Sequence, residues 1–207
     1  AGQYAPATPS GGTGGVSVSP SVSQNVVQPG GTALTANNFN NITYSVSSYN
    51  WSQNPSGTIA VGSNTVALSP CPIGLTVNSP AGAQTFVYIS GVGTPEAVLL
   101  TSTTCPQAGG AGGTITFTAA NTHGSGYTVG SASQGVQEAI NAASFPPNYG
   151  GGTAALGSVV IAPAQYTWQA RVTVSAPNMV VDFSGSVITC AMADTCLFIG
   201  SNAHTTY

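Results

Sequence analysis

The chain has 207 residues, of which 2% are charged: one Arg, no Lys and four acids, for a formal net charge of −3. One cation cannot neutralise a row of phosphates, which disfavours nucleic acid and anionic membrane surfaces as partners. No apolar run approaches the ~18 residues of a membrane span, and a hydrophobic content of 42% is too high for a disordered chain. What remains is a neutral, β-rich protein with a surface of Ser, Thr, Asn, Gln and Gly, on which nothing repels a second copy.

Residues 1–32 are Gly, Ser, Pro and Thr around one strand-like stretch, VSVSPSVSQNVV, and read as an extended arm. A segment so poor in core residues orders best by lying on another surface, so the arm is expected to contribute to assembly. The chain opens on Ala1, which fits a mature product after signal removal. From 33 to 130, runs such as NITYSVSS, NTVALSP, QTFVYISGV, EAVLLTST and GTITFTAA recur at intervals of about ten residues with turn residues between. That rhythm predicts an antiparallel β-sandwich or small barrel. Trp51, with Tyr44 and Tyr49, reads as a core or edge anchor; its functional reading is a sugar-stacking surface with a glycan as partner. Asn41 in NIT and Asn50 in NWS match glycosylation acceptors. Glu96 reads as a solvated strand end.

At Ser131 the pattern changes. Ser131 or Ser133 can cap a helix, with Gln134 completing a capping box. Val136, Ala139, Ile140 and Ala143 then fall at i, i+3, i+4 and i+7, one apolar stripe of a helix over 133–143. Pro146 and Pro147 stop it. A Gly-rich turn and strand-sized apolar runs follow.

The four cysteines fall in two local pairs, which favours Cys71 with Cys105 and Cys190 with Cys196 over free thiols, and zinc less still. Metal would need further His or Cys at ligand spacing. Disulfides imply an oxidising, exported location: extracellular, on a cell surface or on a virion.

QEAINAA at 137–143, VVIAPAQYTW at 159–168 and VTVSAPNMVVDFSGS at 172–186 together resemble the opening of pectate-lyase-like right-handed β-helix proteins. That superfamily includes polysaccharide lyases, glycoside hydrolases and phage tail spikes. The APAQYTW turn departs from the usual PPGTY. The resemblance spans 131–207 and implies that Val136, Ala139, Ile140 and Ala143 cap the first coil of a parallel β-helix. The expected fold is therefore all-β: the arm at 1–32, the sandwich or barrel at 33–130, and a helix-capped start of a right-handed parallel β-helix at 131–207. Residues 158–207 supply about two coils, fewer than the three a solenoid normally needs, so further chain or a partner is expected at the open end.

Enzymes of this superfamily use several acids in a groove on central coils, often with Arg, Lys or calcium. Glycoside hydrolysis needs two positioned carboxylates. Here only Asp182 and Asp194 follow Glu138, and both read as local turn or ladder residues; Arg171 reads as a structural partner of Asp182 or Glu138. His123 and His204 stand in loops without a Ser or Cys nucleophile. No catalytic, cofactor-binding or metal-ligating set emerges. The expected function is a non-catalytic extracellular structural or adhesive protein, homo-oligomeric through arm exchange or β-edge pairing. The alternative is the first part of a polysaccharide-degrading β-helix enzyme or tail spike, with the sandwich as an attachment or carbohydrate-binding module.

Overall fold

A computed structural model of the chain describes residues 43–77, 83–144, 158–175 and 179–200. The arm at 1–32, Asn41, Pro146, Pro147, the Gly-rich turn and His204 lie outside the described residues, as does the side chain of Tyr44. Strand is the main regular structure of the described residues, with one α-helix.

Six strands form a single antiparallel sheet: β2 (Ser52–Gln53), β3 (Gly62–Leu68), β4 (Phe86–Ser90), β5 (Glu96–Thr103), β6 (Gly113–Ala119) and β7 (Thr128–Ser131). Their spatial order is β2-β7-β4-β5-β6-β3. Alternation along each strand sends Val66, Leu68, Val87, Ile89, Val98, Leu100, Ile115, Phe117 and Val129 to one buried cluster, while Ser and Thr face outward. The sequence left open a sandwich or a barrel; the structure has one sheet curled over its own core. The curl has a local cause. The register of β5 against β6 shifts between Leu100 and Ser102, so β5 serves β4 with its first half and β6 with its second. At one end the sheet's two edges meet. The Gln53 amide, on β2, donates to Pro70 O at 2.6 Å and accepts from Ser69 N–H at 3.1 Å, just beyond β3. The Cys71–Cys105 disulfide joins the segment after β3 to the end of β5 within the same core.

The remaining strands pair in parallel. β8 (Ser158–Val160), β9 (Gln165–Trp168) and β10 (Val172–Val174) are matched in turn by β11 (Val180–Asp182), β12 (Val187–Cys190) and β13 (Leu197–Ile199). Ser158 faces Val180 and Gln165 faces Val187, an offset of 22 residues each; Val172 faces Leu197, an offset of 25. The extra three residues fall in the loop closed by Cys190–Cys196. On its other side β8 pairs in parallel with β1 (Thr43–Ser45). Residues 43–48 therefore belong with the parallel strands, not with the antiparallel sheet that follows them in sequence, and Val46 is fully buried there.

Helix α1 (Val136–Ser144) lays Val136, Ala139, Ile140 and Ala143 on this second cluster, against Val46, Val159, Ile161, Trp168, Val172 and Val174. Its start is later than the sequence predicted. Gln134 (φ 56°) and Gly135 (φ 92°) occupy the left-handed region and cannot continue a helix backwards. At Gly135 a Cβ would sit 2.5 Å from Asn50 N and 2.6 Å from Val46 O, so only glycine lets these segments cross.

Candidate functional site: the helix between two cores

The opposite face of α1 is polar, and it is buried as well. Gln137, Glu138 and Asn141 are each at most 2% exposed. Gln137 clasps β10: its Oε1 accepts Thr173 N–H at 2.7 Å and its amide donates to Thr173 O at 3.0 Å. The same amide donates to Asn141 Oδ1 at 3.0 Å. Asn141 then reaches the antiparallel module, donating to Gly74 O at 2.8 Å and Thr85 Oγ1 at 2.9 Å. Gly74 (φ 80°) is pressed so close to the helix that a Cβ there would lie 2.2 Å from the Glu138 carbonyl oxygen.

Glu138 forms the centre of this joint. Its Oε1 accepts the Trp51 indole N–H at 2.9 Å, and its Oε2 accepts the hydroxyls of Ser131 at 2.9 Å and Ser133 at 3.4 Å. Burial pushes this carboxyl up from its ordinary value; the donated hydrogen bonds oppose that rise without cancelling it. The two serines also organise the helix start. Ser133 Oγ accepts Gln137 N–H at 2.9 Å, and Ser131 Oγ accepts Gly135 N–H at 2.7 Å. Gln134 takes no part in a capping box. Its Oε1 accepts Thr167 N–H on β9 at 2.7 Å, because its left-handed backbone turns the side chain away.

Trp51, expected as a core anchor or a sugar platform, is half-buried against the first core and donates its indole N–H to Glu138. Tyr49 packs against the second core. The aromatic pair thus spans the joint. Asn50 between them is exposed. Cys71–Cys105 and Cys190–Cys196 are both bonded.

Arg171 has a different partner from either expected. Its guanidinium lies 3.9 Å from Asp194, donates to Gln84 Oε1 and covers the Phe198 ring at 5.5 Å from the centroid. Asp182 instead accepts Ser184 N–H at 2.9 Å in the turn after β11, and Asp194 accepts Thr195 N–H at 2.6 Å.

A second buried cluster carries no sequence signal. Glu96, read as solvated, accepts Ala120 N–H and Asn121 N–H at 2.9 Å each and lies 3.0 Å from His123 Nε2. Partial burial raises its carboxyl, but the two backbone donors and His123 outweigh that and hold it below its usual range. His123 Nδ1 lies 3.1 Å from Val92 O. A carbonyl only accepts, so Nδ1 is the donor in that contact. This pair pins the β4–β5 turn to the segment after β6. Its members are 27 residues apart in sequence, and no motif links them.

Among the described residues, no three His, Cys, Asp or Glu side chains group to hold a metal ion, and no helix is long and apolar enough to cross a membrane. No family model matches this chain, and neither the curated proteins nor the solved structures contain a match to it.

Proposed function

We propose that this chain is a non-catalytic structural or adhesive protein of an extracellular filament, spike or surface layer, working as a homo-oligomer. The observation that carries this reading is the threefold parallel pairing of β8 with β11, β9 with β12 and β10 with β13. On this reading residues 158–200 are the first two turns of a right-handed parallel β-helix of the pectate-lyase-like kind, and α1 is its cap. Strands β11, β12 and β13 each have one partner among the described residues, and Val180, Val187 and Ile199 on them are exposed. Such an end favours contact with more β-structure. The charge-poor surface and two disulfides suit an exported assembly in which persistence matters more than colloidal repulsion.

The acids support a structural role. Glu138 ties helix to sheet, Glu96 ties two loops, Asp182 closes a turn, and Asp194 faces Arg171 from a disulfide loop. Light scattering and electron microscopy of the purified chain test the proposal: concentration-dependent oligomers are expected, and a monomer at all concentrations removes it. The open strands also favour a second reading, in which further turns carry a polysaccharide-degrading site. A longer product that depolymerises a glycan, with these 207 residues inactive alone, would establish that reading instead.

A further inference from the structure

We propose that the outer edge of β3 is a self-pairing surface, on which a second copy of the chain adds its own β3 antiparallel to the first. The inference rests on the assembly reading above and names the surface that would carry it.

β3 is an end strand of the antiparallel sheet. Which of its backbone groups point outward follows from β6. Thr114 N–H donates to Thr104 Oγ1 at 2.8 Å, and Thr114 O accepts Thr104 N–H at 2.9 Å, so Thr114 faces β5. Backbone direction alternates along a strand. Gly113, Ile115, Phe117 and Ala119 therefore face β3, where the register sets them opposite Leu68, Val66, Asn64 and Gly62. Ser63, Thr65 and Ala67 turn their N–H and C=O groups the other way. Among the described residues no strand pairs with that edge. The open stretch ends at Ser69, whose N–H donates to Gln53 Oε1.

These three residues are symmetric about Thr65. A two-fold axis there sets Thr65 opposite the Thr65 of its copy, and Ser63 opposite Ala67, each pair exchanging both backbone hydrogen bonds. A second copy is favoured as the occupant because nothing on the strand resists one. Exposed edges are normally guarded by Lys, Pro, a bulge or an inward charge. From Val61 to Ser69 there is no charge and no Pro, and the pairing of β3 with β6 runs without a register shift. The outward side chains of Ser63, Thr65 and Ala67 are exposed and small. A single seven-residue pairing falls short of the ~1,200 Å² that stable interfaces bury. The contact is therefore weak for one pair and is consolidated within an array.

The Thr65→Cys variant tests the geometry, because the side chain is exposed and the change removes only its hydroxyl contact with Thr116 Oγ1 at 3.0 Å, leaving the backbone ladder to β6 in place. Paired strands hold such Cα atoms about 5.5 Å apart, inside the ~4.4–6.8 Å range of a disulfide. Mild oxidation of T65C is expected to give a covalent dimer. T118C, exposed on β6, is expected to give none. T65P removes an outward N–H while sparing the ladder to β6, and is expected to weaken self-association about tenfold or more. If T65P fails to fold, the two cysteine variants still decide. An unmodified chain that oligomerises while T65C does not cross-link overturns the β3 edge and leaves the assembly reading standing. A chain monomeric at every concentration overturns both. Slow amide exchange of Ser63, Thr65 and Ala67 in a monomer would mean that another part of the same chain covers the edge, and also overturns the proposal.

Discussion

At Glu138 burial outweighs the donors around the carboxyl, so the native state holds its proton to higher pH than the unfolded chain does. Its contribution to stability is full below the unfolded value of about 4.3 and is lost as pH rises towards the raised native value. Glu138→Gln keeps an oxygen for Trp51 and should remove that decline; equal slopes for both proteins in urea titrations from pH 4 to 9 would contradict it. Glu96 has the opposite sign. Its native value is lowered, so its contribution is present above about 4.3 and is lost as pH falls through the native value. Glu96→Gln should cost about 1–3 kcal/mol at pH 7, because the segment after β6 loses a charged acceptor, and nearly nothing at pH 2. Neither carboxyl was legible in the sequence. A polar residue on a helix or at a strand end ordinarily meets water, and only the second layer of structure shows that these do not.

The helix illustrates how far a pattern reaches. Val136, Ala139, Ile140 and Ala143 were readable as a stripe because their spacing alone puts them on one side, and that side is buried. The start of the helix was not readable, because Ser131 and Ser133 accept N–H groups and donate to Glu138 in an arrangement fixed by the two left-handed residues between them and Val136. Gly135→Ala tests this local geometry. With a positive φ and a Cβ 2.5 Å from Asn50 N, the variant should lose about 1–3 kcal/mol, measured by denaturant unfolding, whereas an unchanged midpoint would mean that residues 46–50 yield easily. β5 offers the matching case among strands. Its apolar alternation is plain in EAVLLTST, but the shift at Leu100 and Ser102 that curls the sheet leaves no mark on composition.

Across the whole molecule, the all-β character and both cysteine pairs followed from composition and locality. The single curled sheet did not, since one sheet and two share the same alternation. From β8 onward the parallel partners lie 22 or 25 residues apart, with strands of three or four residues, too short for periodicity to expose. The two disulfides brace different parts and should differ in worth. Cys71–Cys105 closes a long loop with a sequence separation of 34 and Cys190–Cys196 a short one with a separation of 6. Loop-closure entropy gives about 4 and about 2 kcal/mol respectively. Paired Cys→Ala variants should rank in that order in chemical denaturation, and the reverse order would point to native-state contacts as the dominant contribution.

The position of Arg171 has a consequence for degradation. With no lysine in the chain, a trypsin-like protease has one bond to attack, Arg171–Val172. The side chain it must grip lies against Gln84 and Phe198, and Val172 is fully buried at the start of β10. Each cystine lies wholly on one side of that bond, so no covalent link would join the two products. Cleavage therefore requires local opening of the parallel strands, and its rate would report how often they part.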